Sequence, residues 1–190
     1  MGRNRRMWNP DVFEHVTMRG NNRQNIFHNQ ADYHAFFRIL DYTYQKYPFT
    51  IISYCLMTNH YHLLIQSPEV PTGKLMAMIN RRYSDYHKKK YTYYGSMFEG
   101  RYFADKVVTP KSFLSVSRYI HRNPINTKMS MVEKMELYPY SSYSFYINDI
   151  PPFYEFINLK QLFLYLPSPY SKTAEGYRLY CESEDDGEEP

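Results

Sequence analysis

The fold of this chain is decided by residues 57–65, Met57-Thr58-Asn59-His60-Tyr61-His62-Leu63-Leu64-Ile65. Successive side chains of a strand point to opposite faces, so His60 and His62 share one face while Tyr61 lies on the other. Two imidazoles side by side on a strand form half of a divalent-metal site, and the other half has to come from elsewhere in the fold. The alternative interpretation is a polar strand face that carries two ordinary histidines.

Length and composition indicate a globular protein. The 190 residues suffice for one domain with a hydrophobic core and a small appendage. No apolar run is long enough to span a membrane, and the N-terminal residues do not resemble a signal peptide. Cys55 and Cys181 are the only cysteines, which argues against a disulfide framework. We therefore expect a cytoplasmic protein that does not bind a membrane.

The charge is distributed unevenly along the chain. Residues 1–128 carry 19 Lys and Arg against 8 Asp and Glu, a net charge of +11, whereas residues 129–190 carry 4 against 11, a net charge of −7. A body this basic favours a polyanionic partner such as nucleic acid. Many of the 22 tyrosines stand next to Lys or Arg. Such aromatic and cationic side chains suit single-stranded nucleic acid, whose bases stack on rings while cations bind phosphates.

Hydrophobic spacing predicts the element order β-α-β-β-α-β-α, which then gives way to an irregular segment. Strands are predicted at residues 12–19, 49–56, 60–65 and 98–108, and helices at about 32–47, 73–90 and 110–123. Two βαβ-type halves of this kind form a ferredoxin-like α+β fold, in which helices pack on an antiparallel sheet. The fold alone does not specify a function.

The chain is predicted to have three parts. Residues 1–128 form the main domain, which contains the predicted strands and helices, and residues 129–181 form a C-terminal extension with short helical pieces. Residues 182–190 contain six acidic residues and are predicted to be disordered.

The third predicted helix places Tyr119 and Asn123 on one face, because they are four residues apart. If that face meets the histidine strand, two imidazoles, one amide oxygen and one phenol converge. The first three can hold a divalent cation, and the phenol is a nucleophile for a phosphodiester. Mixed nitrogen and oxygen ligands favour Mg²⁺ or Mn²⁺ over Zn²⁺. A phenol is only weakly acidic, and the sequence does not identify its base.

Several motifs resemble those of the single-tyrosine transposases of the HUH nuclease superfamily, in the family's order. Residues 55–65 resemble the signature in which a hydrophobic residue separates two metal-binding histidines. Residues 118–124, Arg-Tyr-Ile-His-Arg-Asn-Pro, resemble the helix of the catalytic tyrosine. Residues 15–23 resemble the first strand and turn, and residues 98–102 the last core strand.

Asn123 and the later Tyr-Pro-Tyr-Ser-Ser-Tyr at 138–143 resemble the REP-associated branch of this family, an IS200-like transposase group. This resemblance implies a bacterial, nucleoid-associated enzyme that nicks and joins single-stranded DNA at hairpin-forming repeats through a 5′-phosphotyrosine. It implies Tyr119 as nucleophile and His60, His62 and Asn123 as metal ligands. Thr58 departs from the proline of many relatives, and Tyr61 is bulkier than the usual aliphatic residue, but it points away from the metal.

Six residues are expected to contact DNA, because each has a polar or cationic side chain and lies in or near one of these motifs or in a helix rich in Arg and Lys. They are Arg19, Asn22, Arg23, Arg81, Arg82 and Arg101. Two alternatives remain open, a domesticated DNA-binding protein without catalysis and an RNA-binding module, because RRM domains share the βαββαβ order. The sequence is compatible with a monomer or a homodimer, and Tyr119 could serve its own subunit or a partner's.

Overall fold

The computed structural model describes residues 7–183. Four antiparallel strands form one sheet in the order β2-β3-β1-β4. The strands are β1 (Phe13–Arg19), β2 (Thr50–Leu56), β3 (His60–Gln66) and β4 (Phe103–Val107). This is the strand order of a ferredoxin-like fold, so the α+β prediction is confirmed.

The helices cover both faces of the sheet. One face carries α1 (Gln30–Lys46) and α2 (Thr72–Tyr91), and the other carries α3 (Pro110–Arg122). The C-terminal extension adds α4 (Tyr143–Ile147), α5 (Lys160–Leu164) and α6 (Ala174–Glu182) on the α3 side. Within residues 7–183 no helix is both long and apolar enough to cross a membrane.

The α1–α2 face is a closed hydrophobic layer. Val16 of β1 and Leu63 of β3 are fully buried there against Phe36 of α1 and Ile79 of α2. These residues recur every second position on the strands and every third or fourth position on the helices, as the two periodicities require. The layer therefore follows directly from the hydrophobic pattern.

The α3 face is closed by the C-terminal extension, which packs along the edge strand β2. The hydroxyls of Tyr138 and Tyr146 donate hydrogen bonds of 2.7 Å to the backbone carbonyls of Leu56 and Ile52. Because an unpaired buried carbonyl is costly, these phenols satisfy groups that an edge strand would otherwise leave exposed. Several of the tyrosines thus have a structural role, with the ring in the core and the hydroxyl on the backbone.

The ends of α3 are set by local sequence. Thr109 and Ser112 form a capping box around Pro110, which occupies the first helical turn. Asn123 is the C-terminal cap, and Pro124 follows it. The predicted helix is therefore present, and its capped ends fix the position of Tyr119 along the helix.

Three segments differ from the sequence predictions. The predicted strand 98–108 is shorter, because the chain bends at residues 99–101 and Phe98 makes only an isolated bridge to Gly20. The short helix α4 begins at Tyr143, the last residue of the Tyr-Pro-Tyr-Ser-Ser-Tyr stretch for which the sequence predicts an irregular connection. In the acidic segment 182–190, Glu182 is not disordered, because it is the last residue of α6. Residues 184–190 lie outside the described residues, so the disorder predicted for them stays a prediction.

Candidate active site

The strand β3 presents its two histidines to α3 and its tyrosine to the opposite core. Tyr61 is fully buried among α1 and α2, where its hydroxyl donates a 2.5 Å hydrogen bond to Oδ1 of Asn80. Burial raises the pKa of Tyr61 far above its ordinary value. Tyr61 therefore cannot serve chemistry on the histidine face.

The third helix brings Tyr119 and Asn123 to that face. The Tyr119 ring lies edge-on to His62, with 5.5 Å between the ring centroids. Oδ1 of Asn123 lies 3.5 Å from Nε2 of His60. The convergence of two imidazoles, an amide and a phenol that the sequence predicted is thus present within one chain.

Hydrogen bonds orient the His60 ring. The Asn59 amide nitrogen donates to the Arg23 carbonyl at 3.2 Å, so its Oδ1 faces His60 Nδ1 at 2.6 Å. Nδ1 of His60 must then be the donor, and Nε2 carries the lone pair. The Asn123 amide nitrogen donates to the Tyr119 carbonyl at 2.9 Å, which leaves its Oδ1 toward His60. Two acceptors therefore face each other across 3.5 Å, too far apart for a good hydrogen bond and suited to a shared cation.

A third histidine, which sequence reasoning did not single out, supports His62. His15 Nε2 lies 3.0 Å from His62 Nδ1, and Thr17 Oγ1 lies 3.1 Å from the same atom. These contacts engage Nδ1 and leave Nε2 of His62 for a ligand. Asp105 is the register partner of His15 on β4. The sequence contains a signal for this contact. His15 and Thr17 are two residues apart on β1 and therefore share one face, and β1 pairs antiparallel with β3.

Burial keeps the imidazoles of this cluster neutral. It lowers the pKa of His60 to about 4, with Arg19 contributing in the same direction, and lowers the pKa of His15 to about 4 despite the nearby Asp105. Burial lowers the pKa of His62 well below its ordinary value, and His60, His15 and Arg19 add to the effect. At neutral pH the rings therefore offer lone pairs, the form in which histidine binds metal.

An open pocket of about 530 Å³ lies in front of this cluster. His62 and Tyr119 form part of its wall, which also carries two cations, Arg19 and Arg101, and two carboxyl groups, Glu99 and Asp105. The bend at residues 99–101 places Arg101 there. The two guanidinium groups are the part of this pocket that can bind an anion beside Tyr119.

The other residues predicted to contact DNA lie at three separate places. Asn22 and Arg23 are exposed in the turn after β1, with φ angles of 49° and 58°. Arg81 lines a groove behind the sheet. Arg82 points elsewhere, with its guanidinium 3.8 Å from the ring centre of Tyr42. The structure thus brings Arg19 and Arg101 to the Tyr119 pocket and does not bring Arg82 there.

The turn that follows β1 is held close to the site. Gly20 donates its backbone N–H to the Asn59 carbonyl at 2.8 Å, and a Cβ at this position would meet the Gln24 carbonyl oxygen at 2.2 Å. Glycine is therefore required here by close backbone approach. Asn59 connects this turn to His60.

The site offers a small set of candidate ligands for a divalent cation. No group of three or more His, Cys, Asp or Glu side chains in residues 7–183 is arranged to hold a metal ion. The candidate ligands are instead two neutral imidazoles and one amide oxygen, which leave coordination positions for water or substrate oxygens. Such an open, mixed set suits Mg²⁺ or Mn²⁺ better than a closed zinc site.

Comparison with known proteins agrees with this geometry. A family model described as "Transposase IS200 like" matches residues 11–123, more than half of the chain. The chain belongs to the IS200-like transposase family. All candidate site residues of this IS200-like protein fall within the matched range, whereas the C-terminal extension falls outside it. No curated protein sequence matches the chain.

A solved structure has a similar fold. It is described as the "Structure of the REP associates tyrosine transposase bound to a REP hairpin" and superposes with a TM-score of 0.66 at 15% sequence identity. The match covers 80% of this chain and 89% of the other. At this identity the similarity concerns the fold, and it extends beyond the family match into the C-terminal part of this IS200-like protein.

Proposed function

We propose that this IS200-like protein is a metal-dependent endonuclease and strand transferase that nicks and joins single-stranded DNA at hairpin-forming repeats. The observation that carries the proposal is the position of Tyr119, edge-on to His62 in a pocket rimmed by Arg19 and Arg101. A phenol, neutral imidazoles and two guanidinium groups together suit attack on a phosphodiester.

In the proposed reaction, the Tyr119 oxygen forms a bond to phosphorus and the bond from phosphorus to the 3′ oxygen breaks. The phenol proton is released, the 3′ oxygen leaves as a hydroxyl, and the 5′ phosphate stays on Tyr119. A 3′-hydroxyl from another strand can attack this phosphotyrosine, which restores a phosphodiester and the free phenol. Because the energy of the bond is kept in the covalent intermediate, the chemistry suits strand transfer.

His60, His62 and Asn123 would hold the divalent cation. When bound, Mg²⁺ or Mn²⁺ supplies charge that polarises a phosphate oxygen and stabilises the transition state. Asn59 contacts Nδ1 of His60, and His15 contacts Nδ1 of His62, so Nε2 of each ring is left for a ligand. Arg19 and Arg101 position the phosphate by charge and hydrogen bonding.

The proposed partner is a DNA hairpin with a single-stranded flank. The relative of similar fold was solved with a REP hairpin, and the first 128 residues of this chain carry a net charge of +11. Tyr119 lies beside His62 of the same chain, which supports a site assembled in cis and hence a competent monomer. The proposed location is the bacterial nucleoid in the cytoplasm.

The central test uses a labelled hairpin oligonucleotide with Mg²⁺ or Mn²⁺, and detects the covalent adduct on a denaturing gel. We expect an adduct with the native protein and a decrease of about 10⁴-fold or more with Tyr119→Phe, since the nucleophile is lost. Tyr61→Phe is the matched control, because it removes a phenol from the opposite face and is expected to retain the adduct.

Two results would contradict the proposal. One is an undiminished adduct with Tyr119→Phe, which would assign the bond to another residue. The other is tight binding of the DNA or RNA hairpin with no cleavage under either metal, which would favour a binding protein that has this fold but lacks the chemistry. Addition of EDTA is expected to abolish adduct formation without abolishing binding.

A further inference from the structure

Two sequence motifs meet in the core on the α3 side of the sheet. Residues 118–124 include the last turn of α3, and residues 138–143 lead into α4. His121 of the first motif is fully buried, and its Nε2 lies 2.7 Å from the Ser142 hydroxyl of the second. Neither residue has a role in the proposed reaction, so their contact calls for another explanation.

The His121 ring joins three segments that are distant in the sequence. Its Nδ1 lies 2.7 Å from the Tyr177 hydroxyl of α6. Ser142 Oγ, on the other side of the ring, accepts a hydrogen bond from the Tyr54 backbone N–H of β2 at 2.9 Å. Because a hydroxyl can donate or accept, both ring nitrogens are satisfied in either tautomer. One imidazole thus connects α3 to α6 and, through Ser142, to the edge strand of the sheet.

Aromatic rings of the C-terminal extension surround the same imidazole. The ring centroids of Tyr143, Tyr146 and Tyr177 lie 5.5, 5.5 and 5.7 Å from that of His121. All three tyrosines are buried. A close-packed surround with both nitrogens hydrogen-bonded leaves the imidazole one position. His121 is therefore a fixed point of α3.

Two arginines add a second connection between α3 and α6. Nη1 of Arg122 donates to the Cys181 carbonyl at 2.8 Å and to the Ser183 carbonyl at 3.1 Å. Arg118, one turn earlier, also donates to the Ser183 carbonyl. The last carbonyls of a helix have no partner within that helix, and a cation beside them is favourable. The end of α6 and the last turn of α3 thus hold each other.

The last turn of α3 needs such support, because its own backbone holds it weakly. The Asn123 N–H reaches the Ile120 carbonyl at 3.4 Å, which is longer than an ordinary N–H···O hydrogen bond. The Asn123 amide nitrogen donates to the Tyr119 carbonyl at 2.9 Å, so this side chain follows the helix. A displacement of α3 would therefore move Tyr119 and Asn123 together, relative to His60 and His62 on β3.

We propose that His121 is a positioning residue, through which the C-terminal extension holds Tyr119 and Asn123 against the histidines of β3. Residues two apart on a helix point about 200° apart, so His121 lies on the other side of α3 from Tyr119 and acts only through the helix. The C-terminal extension, which lies outside the family match, thereby takes part in the activity. This inference rests on the proposed function, since it supposes a reaction at Tyr119.

The experiment uses the full chain with His121→Phe or Tyr177→Phe, which keep a ring in the core and remove its hydrogen bonds. Single-turnover adduct formation on a labelled hairpin is measured at increasing Mn²⁺. For His121→Phe, we expect the half-maximal Mn²⁺ concentration to rise and the maximal rate to fall, each by about 10-fold, as for groups that orient a metal ligand. For Tyr177→Phe, which loses one of the two bonds, we expect changes of about 3-fold. The Kd of the hairpin without metal, from fluorescence anisotropy, is expected to stay unchanged.

Two further variants separate positioning from stability. Tyr83→Phe is the matched control, because it also removes a buried hydroxyl, which donates to the Ile26 carbonyl at 2.7 Å on the α1–α2 side. It is expected to lose stability as Tyr177→Phe does and to keep the native Mn²⁺ dependence. His121→Gln places an amide near the position of Nε2 toward Ser142, and is expected to restore part of the rate that His121→Phe loses.

Hydrogen exchange gives a measure that needs neither metal nor reaction. The backbone amides of residues 117–123 are expected to exchange about 10-fold faster in His121→Phe than in the native protein, with no change in β3. The inference is overturned if that exchange is unchanged, if His121→Phe keeps the native rate and Mn²⁺ dependence, or if Tyr83→Phe shifts them equally. If His121→Phe does not fold, Tyr177→Phe decides between the same outcomes. A native protein that forms no adduct refutes the proposed reaction, and exchange then decides the anchoring of α3 by itself.

Discussion

The two faces of strand β3 differ in what their side chains contact, although their residues alternate along one short sequence. Tyr61 points into a closed hydrophobic layer and is fully buried, with its hydroxyl satisfied by Asn80. His60 and His62 point toward α3, where polar partners orient their rings beside Tyr119. A strand can therefore combine a stabilising face and a reactive face, because its side-chain period of two separates them completely. We expect substitutions on the first face to change stability and those on the second to change chemistry.

The largest effect is expected from Tyr61→Ala, which removes a fully buried aromatic ring from the α1–α2 layer. The cavity and the lost burial predict a decrease of about 3–5 kcal/mol in the free energy of unfolding. Urea denaturation followed by circular dichroism measures it. The adduct rate per folded molecule is expected to stay within about 3-fold of the native rate, and a small loss of stability of about 1 kcal/mol or less would contradict the assignment.

His60→Gln, at the position next to Tyr61, is expected to change the rate of the reaction and not the stability of the fold. Loss of the imidazole lone pair beside Asn123 is expected to decrease the rate of adduct formation by about 100-fold or more, which corresponds to about 2.7 kcal/mol in the transition state. The free energy of unfolding is expected to change by less than about 1 kcal/mol. Single-turnover kinetics with Mn²⁺ measures the rate.

Tyr61→Phe is the matched control for His60→Gln. It removes the hydrogen bond to Asn80 and is expected to cost about 1 kcal/mol of stability with no change in rate. If His60→Gln cleaved at the native rate, or if the two variants lost activity equally, the separation between the faces would fail.

A third effect concerns Asp32, which supports the packing of α1 on α2 and lies outside both faces of β3. Its side chain is fully buried and receives hydrogen bonds from Lys90 at 2.6 Å and from the His28 backbone at 2.7 Å. Burial alone raises the pKa of this carboxyl, but the hydrogen bonds from Lys90, His28 and Tyr91 outweigh it and lower the pKa from 3.8 to about 2. The folded state thus favours the charged form.

Asp32→Asn is therefore expected to cost about 2 kcal/mol of stability at pH 7. Because the folded pKa lies below the unfolded pKa, this contribution is complete above about pH 4 and is lost as the pH falls toward 2. Denaturation of both proteins at pH 7 and near pH 2.5 measures the difference, which is expected to narrow at the lower pH. A constant difference at both values would show that the charge of Asp32 is not the cause.

The core elements and the central site were predictable because both follow from local periodicity. Alternation on β3 separates Tyr61 from the histidines, and helical spacing places Tyr119 and Asn123 on one face of α3. His15 was not recognised as part of the site, because its contact with His62 depends on the pairing of β1 with β3. Arg82 was grouped with its neighbour Arg81, yet adjacent helical residues point in different directions, and Arg82 stacks on Tyr42.

The roles of Tyr119 and of the three ligands stay predictions, as do the metal and the boundaries of the three parts of the chain. The C-terminal extension was the least predictable region. Tyr138 and Tyr146 of this extension donate hydrogen bonds to β2 carbonyls, and these contacts join residues more than eighty positions apart.

The sequence by itself determined the strand and helix order, the face on which each residue of β3 lies, and the family to which the motifs point. These properties depend on the spacing of residue types over a few positions. The backbone geometry of a strand or helix then fixes the direction in which each of those side chains points. The tertiary structure alone decided the orientation of each imidazole, the support of His62 by His15 and the position of Arg101 in the Tyr119 pocket. Those depend on which distant segments pack together, and local spacing carries no information about that.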